Sequence, residues 1–186
     1  MSKIEELRKS LDIQDCTSDE IGTQFGKIAK NLINNFVIRK NDKLYRFVEI
    51  EFYYNTTDVT KAITYERETE AGEWFNHEFG VDLAFKSDKH HYGGILVRAM
   101  ECDGKFCNGP LKCRALLFQF DALGDIKGVP CLEFYPREEQ IVPVPTTRWN
   151  ISEKQAFRFC IPKELWKDHN GYSAYPWDYK GNLKTK

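Results

Sequence analysis

Residues 45–54 read YRFVEIEFYY, an apolar run that carries two carboxylates. Side chains alternate between the two faces of a strand. Val48, Ile50 and Phe52 then share one apolar face, and Tyr45, Phe47, Glu49, Glu51 and Tyr53 share the other. A carboxylate held among rings has its pKa raised by desolvation and can take a proton from water as a general base. The same pattern also fits the solvent-facing side of a half-buried strand. A second candidate stands in GGILVRAM, where Arg98 interrupts an apolar segment. A buried guanidinium needs a partner. Arg98 either points outward, forms a structural ion pair, or meets Glu51 across a site, and periodicity does not choose between these.

Two more groups merit a chemical reading. In CDGKFCNGPLKC, Cys102, Cys107 and Cys113 are separated by four and five residues. Zinc ligands come as tighter pairs with a fourth partner, and His90 and His91 are not at ligand spacing. The expectation is small buried thiols, no metal and no cofactor. In EWFNHEFG, His77 beside a turn is either catalytic or a surface residue, while an aromatic at a hairpin tip can wedge between stacked bases. Gly93 and Gly94 do not make a phosphate loop, and there is neither a nucleophile elbow nor an HExxH pattern.

The elements that would position these groups follow from periodicity. Ile4, Leu7 and Leu11 predict a helix over residues 3–11. TSDE at 17–20 has the form of a capping box, opening a second helix that carries Ile21, Phe25, Ile28, Ala29 and Leu32. A hairpin follows, turning at KNDK, and the polar stretch after Tyr54 reads as a long loop. WFNHEFGVDLAFKS and GGILVRAM read as paired strands, and CLEFYP and QAFRFCIP as two short ones. NGPLKCRALLFQF opens a third helix, for which Asn108 can serve as cap and Pro110 as first-turn residue. The sum is an α+β fold, a single domain on a curved, barrel-like antiparallel sheet with packed helices. The expected organisation is an N-terminal helical extension over 1–20, a main domain over 21–162, and an aromatic tail over 163–186 packed on that domain.

The 186 residues are 41% hydrophobic, 30% charged and 14% aromatic, with a net charge of −1. That balance gives no global positive field to advertise a nucleic-acid partner. No apolar run reaches the length of a membrane span, and the charged start lacks a signal-peptide core. A monomer in the cytoplasm or at the nucleoid, not secreted, with reduced thiols, is the expectation.

Taken in order, these segments resemble the methylpurine (alkyladenine, 3-methyladenine) DNA glycosylases. IAKNLINNFVIRK is similar to that family's "lAraLLGkvLvr", RFVEIEFY to "RIVETEAY", ILVRAM to "VLLRAL", CNGPLKCRALLF to "GPgkLcqALgI", and TRWNISEKQAFRF to "pRvGI…plRFyv". The resemblance is collinear over about residues 25–160. It implies the family's fold and a monofunctional hydrolase that cuts the base–sugar bond of alkylated or deaminated purines in damaged double-stranded DNA. Glu51 matches the acid that activates water, Arg98 the arginine that helps hold that water, and Tyr53 the ring that stacks on the flipped base. Trp149 matches a position acting through its backbone carbonyl, and Phe79, before Gly80, matches the wedge that intercalates in the DNA. The family's pocket histidine has no counterpart in NTTDVTKAI, which offers Asp58 and Thr60, and its basic loop is replaced by the acidic TYERETEAGE. Two other classes stay open: a non-catalytic nucleic-acid or nucleotide-binding relative, and an unrelated hydrolase using Glu49 and Glu51 as a carboxylate pair.

Overall fold

In the computed structural model, residues 1–55, 63–119, 128–148 and 156–166 are described. Asp58, Thr60, Trp149 and the tail beyond residue 166 lie outside them. Helix α1 spans Lys3–Ser10 and α2 Ser18–Asn35. At the start of α2, the Glu20 carboxylate accepts from the Thr17 backbone N–H at 3.0 Å and the Thr17 hydroxyl at 2.7 Å, as TSDE predicts. Phe25, Ile28, Ala29, Leu32 and Ile33 then form one buried stripe, at the 3.6-residue period of an amphipathic helix.

Strands β1 (Phe36–Lys40) and β2 (Lys43–Tyr54) form the predicted hairpin, with Asn41 of KNDK in the left-handed region (φ 52°) that short polar side chains tolerate. Strands β3 (Trp74–His77) and β4 (Gly80–Ala84) turn at Glu78–Phe79. Strand β5 (Gly93–Cys102) runs antiparallel to β2 along almost its full length and is the long partner in the centre of the sheet. Strand β6 is Lys105–Asn108, helix α3 Pro110–Leu117, β7 Cys131–Phe134, β8 Val144–Thr146 and β9 Arg158–Cys160. Every pairing is antiparallel, with spatial order β3-β4-β5-β2-β1-β7 and with β6, β8 and β9 joined at the side. The result is an α+β single domain: a curled half-barrel sheet with three helices among the described residues.

Two details differ from the expectations. Asn108 does not cap α3. It ends β6 opposite Ala99, and Gly109, at φ 110°, stands at the cap with Pro110 behind it. A glycine fits there because an L side chain is strained at that φ. Strands β6 and β8 were not expected; both are short and mixed in composition, so neither carries a clear period-two signal.

The core gathers where α2 packs on β1 and β2. Phe25 stacks on Phe52 with ring centroids 4.5 Å apart, and Phe85 and Phe157 close the cluster. Truncating such a ring to alanine costs about 3–5 kcal/mol. The segment from α1 to Ile13 adds Leu7, Leu11 and Ile13 to this core, and α1 packs against β7. Trp74 on β3 donates its Nε1–H to the Pro130 carbonyl at 2.9 Å, next to β7, so the two open edges of the sheet lean on each other.

Candidate functional site

The second face of β2 is not solvent-facing. Glu49 is 1% exposed and Glu51 fully buried, because the sheet is covered on both sides over this stretch. Burial among rings requires partners for both acids. Strand β9 supplies one by pairing with β2: Arg158 stands directly opposite Glu51. Its guanidinium contacts Glu49 Oε1 closely and lies 3.8 Å from Glu51 Oε1.

Strand β5 supplies the other. Its register with β2 shifts twice, so that Val48 on β2 and Arg98 on β5 have no directly opposed partner across this pair. Such irregularities re-aim side chains. Arg98 Nε donates to Glu49 Oε1 at 2.9 Å and its Nη1 to Glu51 Oε2 at 3.1 Å. The Tyr53 hydroxyl donates to the same Glu51 Oε2 at 2.8 Å. Glu51, Arg98 and Tyr53 therefore converge on one carboxylate oxygen. Glu49 holds the arginines from the other side. The Arg98 side chain, 17% exposed, brings the network to the surface.

The charges are set by competition between desolvation and pairing. Burial raises the Glu49 carboxyl above its ordinary pKa, and Glu51 adds to that, while Arg158 and Arg98 pull against it. Burial alone would lower the Arg98 pKa, but Glu51 and Glu49 outweigh it and the net direction is up. Burial and the neighbouring Glu51 carboxylate push the Tyr53 phenol far above its usual value. Tyr53 is a neutral donor at working pH. One face of its ring is already covered, since the Arg148 guanidinium lies 4.6 Å from the ring centroid. Arg148 is anchored there by a 2.9 Å bond from Nη1 to the Phe52 carbonyl.

A second polar group lies on the same face. Directly opposed residues of antiparallel neighbours point to one side of the sheet. The row Phe75, Asp82, Leu96, Glu51, Arg158 and Thr146 crosses six strands in this way. Asp82 sits two strands from Glu51 across Leu96. Its Oδ2 accepts from Arg67 Nη1 at 2.7 Å and its Oδ1 faces His77 Nε2 at 3.0 Å, with all three side chains buried. Arg67 fits because Gly94 has no side chain: a Cβ there would stand 3.0 Å from Arg67 Nη1 and 2.8 Å from Asp82 Cβ. His77 Nδ1 accepts the Phe79 N–H at 3.3 Å, which leaves the ring proton on Nε2 for Asp82. Both ring nitrogens are engaged and the side chain is buried, so His77 is not a surface residue. It is a clamp beneath the β3–β4 turn.

Phe79, at that turn, is 61% exposed. Two strand spacings and about three residues of rise place it roughly 14 Å from Glu51. Asp82 and Arg67 were missed by sequence reasoning. The available signal was an acid inside the apolar VDLAF, which needs a buried cation as much as Arg98 needs an anion. Trp149 lies outside the described residues. Among the described residues, no three His, Cys, Asp or Glu side chains are grouped to hold a metal ion, and no helix is long and apolar enough to cross a membrane.

Comparison with family models, with curated proteins and with solved structures gives no match to this chain.

Proposed function

We propose that the chain is a monofunctional DNA N-glycosylase of the methylpurine type, releasing an alkylated or deaminated purine from damaged duplex DNA. The observation that carries this reading is the convergence of Arg98 Nη1 and Tyr53 Oη on one oxygen of the buried Glu51. These are the residues that the sequence resemblance assigns to water activation and base stacking, and they come from two separate strands. In the proposed reaction the target base swings out of the stack, at a cost of a few kcal/mol that is least for a damaged base. Phe79 fills the gap it leaves. As the base–sugar bond breaks, positive charge develops on the sugar, and the Glu51–Glu49 side of the site stabilises it electrostatically. Glu51 takes a proton from the attacking water and the water oxygen bonds to the sugar carbon. Arg98 keeps Glu51 oriented for that step. With no lysine assigned as nucleophile, the product is an abasic site.

A second reading is a non-catalytic nucleic-acid or nucleotide-binding relative. It is favoured by the closure of the site: Glu51 is fully buried against Arg98, Tyr53 and Arg158, and Arg148 covers one face of the stacking ring. Duplex oligonucleotides carrying hypoxanthine or 3-methyladenine separate the two. The glycosylase reading expects excision by the wild type and a fall of about 10²–10⁴-fold in Glu51→Gln. It also expects weaker excision in Phe79→Ala, whose exposed ring contributes little to folding. Lesion-selective binding without excision establishes the second reading. Excision that survives Glu51→Gln removes the assigned base.

A further inference from the structure

Six cysteines are free, and two of them meet. Cys107 is half-buried on β6, and Cys113 is fully buried in the first turn of α3. The chain doubles back through Gly109, so that Cys113 Sγ lies 3.5 Å from the Cys107 carbonyl and donates to it. We propose that Cys107 and Cys113 are a peroxide-responsive dithiol, with Cys107 as the attacking sulfur and Cys113 as the resolving one.

Redox-reactive cysteines are reachable, have thiolate character and stand next to a second thiol. Cys107 meets each condition. The neighbouring Cys113 thiol pulls its pKa below the usual thiol value, against the effect of burial. The proximity of Cys107, with burial added, pushes Cys113 well up, so Cys113 stays a thiol until a neighbouring sulfur is activated. The other cysteines lack the arrangement. Cys102 is turned to Asp103 Oδ2 at 3.5 Å, and burial together with that carboxylate raises its pKa. Cys160 is buried with its Sγ 3.8 Å from the Val144 carbonyl, and Cys131 is exposed on β7.

The chemistry balances with hydrogen peroxide as the oxidant. The Cys107 thiolate attacks one peroxide oxygen, the O–O bond breaks, and the leaving hydroxide is protonated to water. The resulting Cys107 sulfenic acid condenses with the Cys113 thiol: the S–S bond forms, the S–O bond breaks, and a second water leaves. Two thiols are oxidised and one peroxide is reduced. Bond formation brings the sulfurs to about 2.05 Å and tightens the first turn of α3 onto β6. Gly109, between the two cysteines, donates its N–H to the Arg98 carbonyl at 2.8 Å, so the new bond would form beside the backbone of that arginine. None of this depends on the glycosylase reading.

The test is a time course of the full chain with hydrogen peroxide at neutral pH. Free thiols are alkylated in denaturant and each cysteine is followed by peptide mass mapping. The expected result is loss of two hydrogen masses in one Cys107–Cys113 linked peptide, reversed by dithiothreitol. The Cys107 thiol should be lost about tenfold faster than the Cys131 thiol. In Cys113→Ala, Cys107 should instead gain two oxygen masses, because nothing resolves its sulfenic acid. In Cys107→Ala, Cys113 should stay reduced. Equal rates at Cys107 and Cys131 in the wild type, or a linkage that joins Cys102 to either, would overturn the proposal without reference to any variant.

Discussion

Replacing Arg158 by methionine tests the electrostatic logic of the site. Methionine keeps much of the apolar stem but removes the guanidinium that contacts Glu49 Oε1 and faces Glu51 Oε1. Arg98 still pairs with Glu49 and Glu51, and both acids stay buried. Removing one partner of a buried ion pair costs about 3–5 kcal/mol, because the charge left behind is uncompensated. With a urea m-value of about 2 kcal/mol per M, the unfolding midpoint should fall by roughly 2 M. The double variant Arg158→Met/Glu49→Gln should recover at least half of that loss, since it removes the stranded charge as well.

The sign of the pH dependence is also fixed. Glu49 is held above its ordinary pKa by burial, so the folded state binds its proton more tightly than the unfolded chain does. Stability from this group falls as pH rises through that window and returns on acidification. Arg158 opposes the shift, so removing it moves Glu49 further up. The deficit of Arg158→Met should therefore shrink as the pH is lowered from about 8 toward 5. The assay is urea unfolding followed by tryptophan fluorescence at several pH values. A deficit below about 1 kcal/mol that does not change with pH would refute the account, because an exposed pair behaves that way and a buried one does not.

Two further outcomes follow from the geometry around this site. Gly93→Ala would place a Cβ 2.1 Å from the Tyr53 carbonyl and 2.9 Å from Tyr54 Cα, both rigid strand backbone. The strain should cost about 2–3 kcal/mol and lower the melting temperature by roughly 4–12 °C, as measured by calorimetry. His77→Leu removes the acceptor for the Phe79 N–H and one partner of Asp82, while Arg67 stays on Asp82. It should cost about 1–2 kcal/mol and speed hydrogen exchange at the Phe79 amide. Unchanged exchange would show that the clamp does not hold the turn.

Much of the fold could be seen in local pattern. The periodicity of α1 and α2, the TSDE capping signal and the turn at KNDK are short-range features, and each matches an observed element. The candidate site was only half legible. Alternation placed Glu49, Glu51 and Tyr53 on one face but left that face either wet or buried. The answer depends on Arg158, more than a hundred residues away, and on a register shift that aims Arg98 between the acids. Asp82 and Arg67 show the same limit, because Arg67 sits in a segment whose overall composition is acidic and its use as a buried cation depends on the space left at Gly94. Pairing partners across a sheet are set by topology, and a local window does not contain it.

The late arrival of Arg158 has a consequence for how the chain is made. Glu49 and Glu51 emerge from the ribosome more than a hundred residues ahead of it. At about 5–20 residues per second, that is a delay of roughly 5–20 s. Arg98 appears within that interval, but the strand that neutralises the pair from the other edge does not. Until β9 docks, burying the two acids is unfavourable, and this part of β2 is held open to water by its own charge. Final closure of the sheet around β2 is thus deferred until nearly the whole described domain has been synthesised. The same acids that mark the candidate site also set the order in which the protein is completed.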